Sequence, residues 1–168
     1  MARLLSIALA LVLLLPCPAY AATDVPVPPS CTPAVNEQIS SLLASASNSG
    51  SAHPVDNVMV CGVTVSPSRT QSGGRHGSHE ILPLAVHLTD GSTRLVEVVT
   101  NDDLDGIVTA PKGAQVFAFG QAFFPNEGRF VAGIHEVHCA THAGADNGWV
   151  VVNGTKFPAS CPSGRSSH

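Results

Sequence analysis

From residue 57 onward the chain alternates short apolar runs with turn signals, and this pattern restricts its fold more than any other feature. The runs predict five main strands, over residues 58–65, 79–88, 93–100, 115–124 and 130–138. Asp90-Gly91 is a hairpin signal, and a last small hairpin is predicted at residues 149–157 around Asn153-Gly154. The pattern favours a mainly β fold with a small five-stranded barrel over a sandwich or an open meander.

The fourth predicted strand carries further information about the barrel. The stretch from Lys112-Gly113 through Val116 to Gly120 resembles the entry to the fourth strand of oligonucleotide/oligosaccharide-binding (OB) folds. A glycine in the middle of a strand suits a bend in a barrel. Phe117 and Phe119 alternate with apolar neighbours, so we expect this strand to be buried on both faces. The predicted core comprises Leu82, Val86, Val96, Val98, Val116 and Ile134.

One short amphipathic helix is predicted before the strands. Thr32-Pro33 is an N-cap followed by proline, and apolar side chains then recur at helical spacing from Val35 to Leu43. We therefore expect a helix over residues 32–46, within a Pro-rich segment, helix and linker that span residues 22–56. The barrel domain is predicted over residues 57–158 and a tail over residues 159–168.

The first 21 residues are typical of a secretory signal peptide. Arg3 supplies the positive end, residues 4–15 form an apolar run, and Ala19-Tyr20-Ala21 fits the small-residue cleavage rule. The apolar run is shorter than the roughly 20 residues that a membrane-spanning helix needs. We expect a secreted or periplasmic protein.

Export determines how the cysteines are interpreted. Cys31, Cys61, Cys139 and Cys161 follow the signal peptide, and an even number in an oxidising compartment predicts two disulfides. Three pairings are possible. We favour Cys31–Cys161, which would tie the ends of the domain together, with Cys61–Cys139 joining two strands.

Charge restricts the partners of the protein. The net charge is −4 and only 12% of residues are charged, so there is no basic surface for nucleic acid. We expect a monomer that binds neither nucleic acid nor, once the signal is removed, a membrane.

Histidines are clustered and form the main candidate site. The predicted metal ligands are His76, His79, His135, His138 and His142. Neutral imidazoles at such short spacings bind zinc or another divalent transition metal. On a regular strand His135 and His138 would point to opposite faces, so they converge only if the strand ends or bulges near Glu136. The alternative is that these histidines bond to loop backbone and pack at the barrel mouth.

Three functions fit these features. The favoured one is a non-enzymatic binding module with a histidine-rich surface. The second is a hydrolase in which zinc held by His76, His135 and His138 activates water, with Glu80 or Glu136 as the base. The third is a disulfide-stabilised structural or interaction protein of the cell envelope. The acidic stretch at residues 101–106 favours a solvated turn that caps a short helix over a calcium loop, because it lacks the downstream glutamate.

Several of these motifs together resemble the pattern of a known family. Arg75-His76, the stretch at residues 101–106, His135-x-x-His138 and Gly148-Trp149 resemble a family of short exported bacterial proteins with a domain of unknown function. The resemblance spans residues 58–157 and implies that His76, His135 and His138 occupy family positions. Cys139 stands where the family pattern has a further histidine. The resemblance implies a domain type and no particular reaction.

Overall fold

The computed structural model of the protein describes residues 22–49, 53–73, 77–125, 128–142 and 144–162. A 3-10 turn (Pro33–Asn36) leads into α1 (Glu37–Ser49), and a four-residue helix, α2 (Asp102–Asp105), follows later. The strands are β1 (Val55–Thr64), β2 (Arg69–Ser72), β3 (Ser78–His87), β4 (Thr93–Asn101), β5 (Gln115–Phe123), β6 (Ala132–His135), β7 (Trp149–Val152) and β8 (Thr155–Phe157). The predicted signal peptide and His76 lie outside the described residues.

Five of these strands close into a barrel. β1 pairs with β3, β3 with β4, β4 with β6, β6 with β5, and β5 returns to β1. The β4–β6 pair is parallel and the other four are antiparallel. This is the Greek-key order of an OB-like barrel. The predicted mainly β architecture, with one short helix before the barrel, is therefore confirmed.

The other three strands extend the barrel at its edges. β7 pairs with the first half of β5, and β8 forms the predicted terminal hairpin with β7. β2 pairs with Ser78–Ile81 of β3 and lies between the first two predicted strands, where the sequence pattern predicted no strand. β1 reaches β3 only at Leu84 and Ala85, which leaves backbone groups at the start of β3 for β2 to pair with.

The barrel interior is the main hydrophobic core. All six predicted core residues have no exposed surface: Leu82, Val86, Val96, Val98, Val116 and Ile134. Ile39 of α1 is fully buried in the same cluster, and Leu42 and Leu43 pack against it, which confirms that the helix docks through its apolar side. Asn36 fixes the start of this helix, because its side chain exchanges two hydrogen bonds with the backbone of Cys61.

A second cluster lies on the outer face of β1, β5 and β7. It contains Cys61, Phe117, Phe119 and Trp149. The amino-terminal segment (residues 23–31) packs on it, and the Trp149 indole nitrogen donates a hydrogen bond of 2.8 Å to the Val25 carbonyl. β5 is thus buried on both faces, as its alternation predicted.

The four cysteines form two disulfides, as predicted, but the pairing that we favoured was wrong. The bonds are Cys31–Cys61 and Cys139–Cys161. Cys61 lies on the outer face of β1 in the second cluster, and the amino-terminal segment that covers this cluster brings Cys31 to it. Cys139 follows β6 and meets the carboxy-terminal residues there. Two disulfides indicate an oxidising environment.

The acidic stretch after β4 is a capped helix, as expected, although it is not fully solvated. The Asn101 side chain accepts a hydrogen bond from the Asp103 amide, as an N-cap does. Asp105 is only 6% exposed, and one of its carboxylate oxygens accepts a hydrogen bond from the backbone amide of Asn101. Burial raises the pKa of Asp105, because the charged carboxylate is poorly solvated there.

Candidate functional site

The candidate site begins at an irregularity in β1. The β1–β5 register shifts between Val55 and Val58, and Asn57 between them has φ of 62°. Such a bulge re-aims the side chains beside it. Here it places Asp56 next to Gln121 of β5, whose amide nitrogen donates a 2.6 Å hydrogen bond to the Asp56 carboxylate.

Gln121 connects Asp56 to His135. The Gln121 amide oxygen lies 2.7 Å from Nε2 of His135 and can only accept, so this ring nitrogen carries a proton. The ring also meets Phe123 edge to face at 5.0 Å between centroids. Burial lowers the pKa of His135, and the nearby Glu136 and Asp56 only partly oppose this effect. His135 is therefore held neutral in a fixed orientation.

Glu136 ends β6 with a left-handed backbone. Its φ is 52°, so the strand stops three residues earlier than the predicted end at His138. Residues with side chains rarely adopt this conformation, and such strain concentrates at functional sites. The Glu136 carboxylate accepts a 3.1 Å hydrogen bond from Nε2 of His142, and both side chains are partly exposed.

These features bring three potential metal ligands together. One ligand atom each from Asp56, Glu136 and His142 lies within 4.8 Å of the other two. Among the described residues this is the one group of three such side chains found so close. Zinc holds such ligand atoms at about 2.0–2.2 Å, so these side chains would have to move closer together to bind an ion. We call this group the Asp56–Glu136–His142 site.

Two glycines allow the backbone of residues 135–138 to approach β5 and β7 closely. A Cβ atom at Gly120 would overlap the His135 carbonyl oxygen, and one at Gly148 would overlap that of Glu136. The Gly148 amide instead donates a 2.7 Å hydrogen bond to the His138 carbonyl. The glycine of Gly148-Trp149 is thus required by the path of the segment that carries Glu136.

The loop that carries His142 is held from two sides. The Asn57 side-chain oxygen accepts a 2.9 Å hydrogen bond from the Asp146 backbone amide, and its side-chain nitrogen donates a 3.4 Å hydrogen bond to the Gly144 carbonyl. On the other side the Asp146 carboxylate accepts two hydrogen bonds from Thr23, one of 2.9 Å from its backbone amide and one of 2.6 Å from its hydroxyl. The bulge in β1 and the amino-terminal segment therefore both position the loop over the site.

Of the predicted histidines, the site contains His142 as a potential ligand. His135 is not itself a ligand; it is hydrogen-bonded to Gln121, which is hydrogen-bonded to Asp56. Nδ1 of His138 donates to the carbonyl of Cys139 at 2.9 Å. His79 lies on β3 opposite Asn101, in the barrel wall near α2. His138 and His79 both act electrostatically on Asp105.

Two of the three ligands are carboxylates, which the histidine spacing does not predict as ligands. The sequence pattern favours Glu136, like Glu80, as a base or as a group that orients a ligand. Glu80 is buried and accepts a hydrogen bond from the Thr70 hydroxyl at 2.5 Å. Asp56 was not singled out, because it lies 80 residues before Glu136 and only barrel closure brings them together. Asp56-Asn57, two turn-forming residues at the start of an apolar run, was the available signal.

The lowered pKa of His135 predicts a pH-dependent stability. The stability that this group confers is complete above about pH 6.5, the usual histidine pKa, and is lost as the pH falls through the lowered folded value. His135→Gln should therefore lose less stability than the unmodified protein between pH 7.5 and 5.0, in urea unfolding with a chelator present. The exposed control His53→Gln should lose as much stability over this pH range as the unmodified protein. Equal losses of stability in all three proteins would contradict the prediction.

In the part of the chain that the structure describes, no helix is long and apolar enough to cross a membrane. Comparisons of the chain with protein-family models, with curated proteins and with solved structures found no match.

Proposed function

We propose that this protein is an exported binding module that holds a divalent transition metal, with zinc as the best-fitting ion, in the Asp56–Glu136–His142 site. The observation that carries the proposal is the convergence of one imidazole and two carboxylates from β1, the end of β6 and the following loop. An imidazole and carboxylates suit zinc and similar divalent ions. The two disulfides, and the signal-peptide pattern of the first 21 residues, support export to the periplasm or beyond.

The surroundings of the site support a metal-binding role over a purely structural one. Asp56 is oriented by Gln121, which His135 orients in turn, and hydrogen-bonded partners of this kind fix the direction of metal-binding carboxylates. Two residues with side chains, Asn57 and Glu136, keep a left-handed backbone at the same place. A merely structural salt bridge between His142 and Glu136 would contribute little at this exposure.

The site also predicts how metal binding responds to pH. Nε2 of His142 carries the hydrogen that it donates to Glu136, and a metal bound to this nitrogen must replace it. A neutral imidazole frees Nε2 by holding its hydrogen on Nδ1, whereas an imidazolium ring must release a proton to bind a metal, so the affinity falls as the pH is lowered.

Zinc titration calorimetry of untagged mature protein at pH 7.5 tests the proposal. Loss of an outer hydrogen-bond partner typically costs about 10–100-fold in metal affinity, so loss of a ligand should cost at least about 100-fold. We expect that loss for His142→Ala and Glu136→Gln, and about 10-fold for Gln121→Ala. The exposed His53→Ala is the matched control. Absence of zinc binding, or undiminished binding by His142→Ala, would refute the proposal.

A further inference from the structure

The two disulfides differ in how accessible their sulfur atoms are. Cys61 has no exposed surface, and Cys31, to which it is bonded, packs against the second cluster on the outer face of the barrel. Cys139 and Cys161 are both partly exposed, and neither belongs to a hydrophobic cluster of the described residues. Thiol–disulfide exchange needs access of the attacking thiolate to a sulfur atom, so exposed disulfides are the labile ones. A dithiol reductant should therefore open Cys139–Cys161 before Cys31–Cys61.

The Cys139 half of the accessible disulfide is fixed next to the metal site. Cys139 lies three residues after Glu136 and three residues before His142. On both sides of Cys139 the chain is hydrogen-bonded to the segment just before β7, through the Gly148 amide to the His138 carbonyl (2.7 Å) and the Ala140 amide to the Asn147 side chain (3.0 Å). These bonds do not involve the disulfide, so Cys139 keeps its place when the disulfide opens.

The Cys161 half is held much less firmly. Residues 158–162 follow β8 and form neither helix nor strand. They make no backbone–backbone hydrogen bond with the rest of the described chain. Apart from the chain that leads from β8, Cys161 is therefore attached to the barrel by its bond to Cys139. Once that bond is reduced, the Cys161 thiol can move the short distance needed to admit a metal ion between two sulfur atoms.

We propose that reduction of Cys139–Cys161 turns the candidate site into a thiolate zinc site, in which Cys139, Cys161 and His142 bind the ion in place of the two carboxylates. Two cysteines and a histidine form a known type of zinc site. The Cys-x-x-His spacing of Cys139 and His142 lets one loop supply two of the ligands. The inference rests on the proposed function in one respect, because it gives His142 the same role as a ligand.

The reaction that switches the site is an exchange with a dithiol. The dithiol transfers two electrons and two protons to the Cys139–Cys161 disulfide and closes into a disulfide itself. Each cysteine thiol then loses its proton as it binds zinc, because the thiolate is the ligand. Reoxidation of the two cysteines removes both thiolates and returns the ion to the weaker carboxylate ligands.

Limited reduction of the folded mature protein with dithiothreitol, followed by alkylation and peptide mapping, tests which disulfide opens. We expect Cys139 and Cys161 to be alkylated, and Cys31 and Cys61 to be protected until the protein is unfolded. Equal alkylation of all four cysteines in the folded protein, or earlier alkylation of Cys31 and Cys61, would overturn the proposal.

X-ray absorption at the zinc edge tests the ligands after the reductant has been removed under anaerobic conditions. The partly reduced protein should show sulfur atoms about 2.3 Å from zinc, whereas the oxidised protein should show only nitrogen and oxygen at about 2.0–2.2 Å. The double variant Cys139→Ser/Cys161→Ser is the control, and it should show no sulfur after the same treatment. A zinc environment without sulfur in protein with free Cys139 and Cys161 thiols would overturn the proposal.

Zinc calorimetry of the same samples separates this inference from the proposed function. Reduction should raise the zinc affinity at least about 10-fold, and His142→Ala should lower the affinity of the reduced protein at least about 10-fold. Zinc binding by the reduced protein but not by the oxidised protein would refute the proposed function and support this inference. Equal affinities of the two forms would overturn this inference.

Discussion

Replacing Val116 with aspartate is expected to unfold most of the protein. Val116 is fully buried in the barrel core, on a strand that pairs with both β1 and β7. Its neighbours in that core are aliphatic side chains that offer a carboxylate no hydrogen bonds. An unpaired buried charge costs about 4 kcal/mol or more, against a total stability of about 5–15 kcal/mol for a typical domain.

Circular dichroism during heating measures this effect, and the adjacent residue provides the control. Gln115 lies on the same strand with its side chain exposed, so Gln115→Asp introduces the same charge without burial. We expect Val116→Asp to lack a cooperative transition or to show a midpoint lowered by tens of degrees, and Gln115→Asp to change the midpoint little. An unchanged midpoint in Val116→Asp would mean that the core is assigned wrongly.

Gly148→Val is expected to destabilise the protein and to disrupt the metal site together. A side chain here would overlap the Glu136 carbonyl and press on the backbone of His138, so the segment must shift as a unit. Overpacking of this kind costs about 1–3 kcal/mol, and more where backbone atoms are involved. The shift also moves Glu136 away from Asp56, so the zinc affinity should fall at least about 10-fold.

Thr141→Val is the matched control for this variant, because it places the same side chain at an exposed position in the same loop. Urea unfolding and zinc calorimetry should show both effects in Gly148→Val and neither in Thr141→Val. A Gly148→Val protein with normal stability and normal zinc affinity would contradict the positions assigned to Glu136 and His138.

The barrel could be predicted from the sequence because its signals are local. Alternating apolar residues and turn dipeptides located the long strands to within a few residues, and the β7–β8 hairpin to the residue. The predicted fifth strand was longer than β6, because nothing local reveals that Glu136 adopts a left-handed backbone. β2 was missed for a different reason. Its residues are all exposed and polar, and it exists because β3 has an open edge beside it.

The disulfide pairing and the candidate site depended on long-range contacts. Cys31 meets Cys61 only because the amino-terminal segment folds over the outer face of β1. In the same way Asp56 meets Glu136 only because β1 closes the barrel against β5. The histidine motif did mark the segment that carries Glu136 and His142. Spacing alone, however, could not show that His142 points to a carboxylate while His138 bonds to the Cys139 carbonyl.

Anomalous diffraction at the zinc edge, from crystals of untagged protein grown with zinc, tests the central claim most directly. The account predicts one strong peak about 2.0–2.2 Å from a carboxylate oxygen of Asp56, a carboxylate oxygen of Glu136 and a ring nitrogen of His142. His142→Ala crystals grown in the same way should lack that peak. A peak held by His79 or His138, or no peak near Glu136 at saturating zinc, would contradict the claim.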